Sequence, residues 1–200
     1  MTYSAVKIAN MALSRIGVMR WIDSLDENTN EAMAAKQWWE HCRDEVLAHF
    51  PWPFATKRME PATLDVENSQ WDLVYALPAD ALAINDVVAK GRPRSIREDQ
   101  RLPWRLEHAD GQRVLVCDYP DVEVVYTARI ETVSLYPPEF VDALAWRLAK
   151  EFAACLVQSP PMVEYAEARY MMELARARGS QAGQSKKDVD PRPDWLAGRG

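Results

Sequence analysis

The sequence predicts an α+β protein: a four-helix bundle built from an N-terminal and a C-terminal helix pair, with an inserted antiparallel β-sheet domain and a flexible C-terminal tail. Three observations carry this prediction. Apolar residues recur at helical spacing in 28–50 and again in 141–177, they alternate at strand spacing between 54 and 133, and periodicity is lost after Gly179. The expected organisation is 1–53 as the first helix pair, 54–135 as the β insert with a protruding arm at 90–103, 136–179 as the second pair, and 180–200 as an extended tail.

Ser4 can cap a first helix whose apolar face is Ala5, Val6, Ala9, Ala12, Leu13 and Ile16, and Gly17 suits the left-handed position that closes it. So short a helix must pack to persist, and the second helix is its expected partner. In the intervening loop Trp21, Ile22 and Leu25 are expected to pin the chain to the bundle. Asn28 and Glu31 resemble a capping pair for the second helix. Its buried stripe is Ala35, Trp39, Cys42, Val46 and Phe50, with Lys36, Glu40, Arg43 and Asp44 on the other faces. Pro51 and Pro53 end it, and Trp52 and Phe54 add large apolar surface at the exit.

In the insert, Trp71, Leu73, Tyr75 and Leu77 form one alternating set and Val122, Val124 and Tyr126 another. Between them lie an apolar strand at 82–89, an alternating run through Trp104, Leu106 and His108, a tight turn at Asp110 and Gly111, and a return strand at 114–117. A single antiparallel sheet is expected, with Pro78, Pro93, Pro103 and Pro120 at its strand ends and loops. The segment KGRPRSIREDQR, 90–101, is polar and rich in arginine, and reads as the protruding arm.

Pro137 and Pro138 suit the first turn of a third helix with the stripe Val141, Leu144, Leu148, Phe152 and Cys155 or Leu156, while Ala145 and Ala149 permit close approach of another helix. Ser159, Pro160 and Pro161 break it and start a fourth, with the stripe Val163, Ala166, Tyr170, Leu174 and Ala177. The short connection requires these two helices to pack antiparallel.

Net charge is −6, which argues against a general nucleic-acid coat. The charge is uneven: from Arg176 onward six basic residues face three acidic ones, a net +3, so the remainder carries −9. Cys42, Cys117 and Cys155 lack metal spacing and are expected to be buried free thiols in a reducing compartment. No apolar run is long enough to cross a bilayer or follows a basic start, so a soluble protein made in the cytoplasm is expected, with no membrane partner.

A stretch reading SLDENTNEA, followed by a helix ending RDEVLAHFPWPFATKR, resembles the tail tubular protein A family, the head-to-tail adaptors of short-tailed bacteriophages. IANMALSRIGV, 8–18, stands where that family has an opening helix. YTARIETVSLYPPEFVDALAWRLAKEFA, 126–153, is similar to its arginine-bearing strand end and following long helix. The resemblance spans 3–178 and its motifs are structural. It implies a virion component in the tail or neck: a homo-oligomeric ring of about twelve copies that joins the portal protein to the tail nozzle or tail tube protein. Genomic DNA would pass through the lumen without sequence-specific binding. It also implies that Arg192, Trp195, Leu196 and Arg199 in the tail order upon the portal. Arg92, Arg94, Arg97 and Arg101 in the arm would then face the nozzle or a neighbouring subunit, and the two directions are interchangeable.

Enzymatic readings gain little from the residues. His41, Glu45 and His49 share a helix face, yet eight residues at about 1.5 Å each set the histidines about 12 Å apart, too far for one zinc ion. Asp23, Asp26 and Glu27 could form a general acid and base pair, but equally suit a polar loop before a helix cap, which is the preferred reading. No phosphate loop, zinc-type cluster or nucleophile elbow is present, so no catalytic residue, cofactor or metal is expected. Trp38 or Trp39, Trp71 and Trp146 are assigned to the core. The rivals to the adaptor reading are a neck or head-completion protein of a long-tailed phage, a small DNA-binding protein using the arm and tail, and a hydrolase built on the carboxylates near Asp26.

Overall fold

The computed structural model describes residues 3–91 and 101–184, with side chains described as far as 180. It is a mixed α+β fold of four helices and two antiparallel sheets. The helices are α1 (Ala5–Arg15), α2 (Asn30–His49), α3 (Pro138–Phe152) and α4 (Pro160–Gln184).

Every side of α3 is covered. Residues 143–149 are all buried, which a helix can achieve only when neighbours surround it, and α1, α2 and α4 each pack along it. This corrects the expected pairing of α1 with α2: their mutual contact is slight, and α1 lies on α3. Arg15 fixes that docking, donating to the Asp142 carboxylate at 2.5 Å and to its backbone carbonyl at 2.8 Å, with its guanidinium 4.7 Å from the Trp146 ring. The antiparallel course of α3 and α4 follows the prediction: Lys150 pairs with Glu167 at 2.6 Å, while Trp146, one turn earlier, meets Arg169.

Local chemistry explains most helix ends. The Ser4 hydroxyl accepts from the Lys7 amide, and Gly17 closes α1 at φ +78. The cap of α2 is Thr29, not Asn28: the Thr29 hydroxyl reaches the Ala32 amide at 3.2 Å, and Glu31 turns instead toward Arg20. In the loop before α2, Ile22 is buried and Leu25 half-buried, but Trp21 is 63% exposed. The loop is held by Asn10, whose side-chain amide donates to the Ile22 carbonyl and accepts from its backbone amide. Arg43, placed among the solvated residues by its spacing, is buried against Asp44 at 2.8 Å.

Pro138 opens α3 as expected, after Pro137 as its cap residue. Beyond Phe152 the helix widens into a π turn, Ala153–Val157, and the extra residue per turn displaces the apolar stripe. Cys155 is therefore exposed, contrary to the expected burial, whereas Cys42 and Cys117 are buried. The fourth helix runs five residues past the boundary expected at Gly179, since one glycine costs a helix only about 1 kcal/mol.

Strands are β1 (Thr56–Met59), β2 (Thr63–Leu64), β3 (Leu73–Ala76), β4 (Ala81–Ala89), β5 (Arg105–Ala109), β6 (Gln112–Cys117) and β7 (Val122–Ala128). They form two sheets, ordered β1-β7-β4 and β2-β3-β6-β5, where a single sheet was expected. The alternating apolar residues serve a space between layers: Val122, Val124 and Tyr126 share one cluster with Tyr75, Leu115 and Cys117. Val74, Val114 and Val116 point the other way and are covered by Leu64, Val66 and Trp71. Asp110 and Gly111, at φ 49 and 77, make the expected tight turn between β5 and β6.

An aromatic junction joins helices to sheet. Trp52 is fully buried and its indole nitrogen donates to the Val46 carbonyl at 2.8 Å. Its ring meets Phe140 at 5.1 Å, and Phe54 meets both Phe140 and Tyr136. Truncating a buried aromatic of this size costs about 3–5 kcal/mol. Trp52→Ala should therefore lower the urea midpoint by that equivalent without changing the denaturant slope. Tyr136 donates to the Ile130 carbonyl at 2.6 Å, and burial pushes its phenol up to about 12 from the ordinary 10. Stability carried by this neutral phenol is present below pH 10 and lost as pH rises through about 12. Tyr136→Phe should reduce that alkaline loss in a pH series of urea midpoints.

Candidate docking surfaces

A buried charged group on α3 is tied into the fold. Arg147, in the covered stretch of α3, donates to Glu45 of α2 at 2.9 Å and to Glu151 one turn along α3 at 2.5 Å. Burial by itself lowers the pKa of this guanidinium, but the hydrogen bonds to Glu45 and Glu151 outweigh it and leave the value raised. Burial likewise acts to raise Glu45, and the Arg147 hydrogen bond reverses this, holding the carboxyl below its usual range. Cys42 lies in the same neighbourhood, and burial pushes its thiol up to about 12, so it is protonated at neutral pH and a poor nucleophile. His41 sits 3.5 Å from Glu45, and His49 packs edge-on against Tyr170. Among the described residues no group of three or more His, Cys, Asp or Glu could hold a metal ion.

The carboxylates before α2 are tied to the loop. Glu27 accepts from the Asp23 and Ser24 amides at 2.5 and 2.7 Å, folding the chain back on itself. Asp26 accepts from Lys36 at 2.7 Å, and this hydrogen bond lowers its pKa, so it is ionised at neutral pH and unsuited to donating a proton.

Cations around the β1-β7-β4 sheet are matched by acids. Lys57 pairs with Asp80 at 2.7 Å, Lys90 with Glu60 at 2.8 Å, Arg129 with Asp44 at 2.8 Å, and Arg58 with Glu123. Arg101 pairs with Asp86 at 3.0 Å and bridges to Val88, so its segment is stitched to β4. Of the predicted arm contacts, Arg101 is thus held by its own chain, while Arg92, Arg94 and Arg97 lie outside the described residues. The predicted tail residues Arg192, Trp195, Leu196 and Arg199 lie outside them as well. Arg105 and Arg113 of the β5–β6 hairpin are exposed.

Exposed large apolar side chains include several near the α1–α2 loop and several on α4, besides Met59, Tyr119, Leu135 and Val157 elsewhere. Met19, Trp21 and Met33, at 73%, 63% and 52% exposure, lie in and after the α1–α2 loop. Val18, Met33, Trp38, Cys155 and Leu156 line a groove there of about 630 Å³, roomy enough for side chains of another protein. The second place is α4, with Tyr165, Met171 and Met172 exposed. The expectations from sequence treated Trp21 as buried and gave α4 only an inner stripe, so both surfaces were missed. The signal for the second was an absence of charge along one face of α4.

No protein-family model matches the chain, and no curated protein sequence matches it. Among the described residues no helix is long and apolar enough to cross a membrane.

The Arg147 network yields a stability test. Arg147→Ala leaves two partly buried carboxylates facing an emptied site and should cost about 3–5 kcal/mol in chemical denaturation. The paired variant Arg147→Met with Glu45→Leu, which removes charge from both sides of the α2–α3 contact, should recover part of that loss.

Proposed function

We propose that the chain is a structural head-to-tail adaptor of a bacteriophage virion, without catalytic residues or cofactors. It would form a ring of about twelve copies that joins the portal to the tail nozzle and surrounds the DNA channel. In this reading the helices on α3 are one bundle interrupted in sequence by the two sheets.

One observation carries the reading. The two separated stretches that resemble the adaptor family, 28–58 and 126–153, are in contact along their length. Trp52 and Phe54 meet Phe140, Asp44 pairs with Arg129, the Ala128 amide donates to the Ala55 carbonyl, and Glu45 accepts from Arg147. Two such stretches of one scaffold would meet in this way, since neither half can bury its aromatic residues alone.

The surfaces are compatible with ring assembly and a passive channel. Heterologous contacts that close a ring need two unlike patches on each subunit, and the groove lined by Val18, Met33, Trp38 and Leu156 offers one of them. The ion pairs around the β1-β7-β4 sheet leave those cations little to offer a phosphate, which favours a duplex that slides. In the described fold, Arg101 is spent on Asp86, so the arm's contact with a nozzle or neighbour would fall to Arg92, Arg94 and Arg97.

Light scattering with negative-stain imaging, on the protein mixed with the portal encoded in the same genome, tests this reading. Twelve subunits of 22.8 kDa should add about 270 kDa to the portal and an extra ring at one end. Deleting 190–200 should abolish that docking and leave the helical circular dichroism unchanged. No association at any salt concentration, together with duplex binding that falls steeply with salt, would overturn the adaptor reading in favour of a DNA-binding protein.

A further inference from the structure

Helix α4 carries two opposed apolar faces. The inner one, Ala166, Tyr170, Leu174 and Ala177, is buried against the core. The outer one is Tyr165, Ala168, Met172, Ala175 and Gly179, at spacings of three, four, three and four; all five are exposed, and the Tyr165 ring also rests by one edge against Trp146 of α3 at 5.7 Å. At about 100° per residue they fall within about 80° of one another, diametrically opposite the inner stripe. No charged residue between 165 and 179 falls inside that sector, although the outward face of a surface helix is where charges normally collect. The 3-4 spacing is that of a helix seam which packs against another helix.

We infer that this face is covered by α4 of a second copy of the chain, running antiparallel about a two-fold axis that passes beside Met172. The argument is self-complementarity, which a two-fold contact demands. With Met172 opposite Met172 of the second copy, Ala168 falls opposite its Ala175, and Tyr165 opposite its Gly179. The largest residue of the seam thus meets the smallest. A Cβ built on Gly179 finds nothing within 4 Å, so the surface above it is open to receive a ring. Ala168, Ala175 and Gly179 let the axes approach to the near end of the usual 8–10 Å range.

Charge follows the same symmetry. Along one flank lie Glu164 and Arg178, and antiparallel packing brings Glu164 of each copy to Arg178 of the other. Arg178 also rests over its own Phe50 ring at 5.7 Å and donates to the His49 carbonyl at 3.4 Å, so Glu164 would take its remaining guanidinium N–H groups. The other flank sets Arg169 near Arg176 of the second copy. Each of these arginines already leans on Glu173 of its own helix, at 3.7 and 3.8 Å, which tempers the repulsion. The inference stands independently of the adaptor reading. If both hold, a ring whose subunits all point the same way cannot contain this two-fold, so the dimer is the form the free protein keeps until assembly separates it.

The test uses the full chain without any partner. Light scattering over a concentration series should show a particle of about 46 kDa, twice the 22.8 kDa chain, dissociating on dilution. Met172→Arg, which places charge at the two-fold on an exposed position, should weaken the dimer by about thirtyfold or more with unchanged circular dichroism. In a Cys155→Ser background, the double variant Ala168→Cys with Ala175→Cys should form a disulfide-linked dimer on mild oxidation, and Ala168→Cys alone should not. A monomer at every concentration, a dimer indifferent to Met172→Arg, or efficient linkage through Ala168→Cys alone would each overturn the proposed packing. Loss of portal binding with the dimer intact would count against the adaptor reading only.

Discussion

Seven consecutive buried residues in the middle of α3, with Phe140 and Val141 before them and Phe152 after, set a demand that a single partner helix cannot meet. Three helices and the aromatic junction therefore close around it. Each buried leucine or phenylalanine contributes roughly 1.5–3 kcal/mol relative to exposure, so the placement of the other helices follows from hiding this one. Ala143, Ala145 and Ala149 matter as much as the large residues, because their small side chains admit neighbours on sides that bulkier residues would hold away. Arg147 is the exception within the apolar stretch: it reaches across to Glu45 of α2, while Glu151, one turn along α3, holds its guanidinium in place.

The sheets take their position from the same centre. Residues 51–55, leaving α2, and residues 128–136, leading to α3, run side by side and are joined by the Trp52, Phe54, Tyr136 and Phe140 rings. Both sequence ends of the β region are thus anchored on the helices. Its far layer, β2-β3-β6-β5, is free to build a small second cluster around Val74, Val114 and Val116.

Several features were legible because they are decided within one or two turns of chain. The Ser4 cap, the close of α1 at Gly17, the proline entry into α3 and the turn at Asp110 and Gly111 all depend on backbone dihedrals and nearby hydrogen bonds. The cap of α2 shows the margin of such reasoning. Asn28 and Thr29 are both competent acceptors, and a single residue decides which oxygen reaches an amide of the first turn. The stripe on α3 was right as far as Phe152, and beyond it the π turn sets the phase that decides between Cys155 and Leu156: Leu156 packs half-buried on the core and Cys155 is exposed. At the candidate surfaces, Glu27 accepts from the loop amides of Asp23 and Ser24, while Trp21, expected on residue type alone to pin the loop, is exposed.

The sequence by itself determined the four helices, the alternating β region and the apolar faces, because helical and strand periods are set by local geometry that each residue type either fits or opposes. The tertiary structure alone decided which faces meet. It placed α1 on α3, split the alternating strands into two layers, committed Arg101 to Asp86 and left the outer seam of α4 uncovered. Those outcomes rest on contacts between residues far apart in the chain, where apolar area and charge are balanced over the whole molecule and no local pattern records the partner.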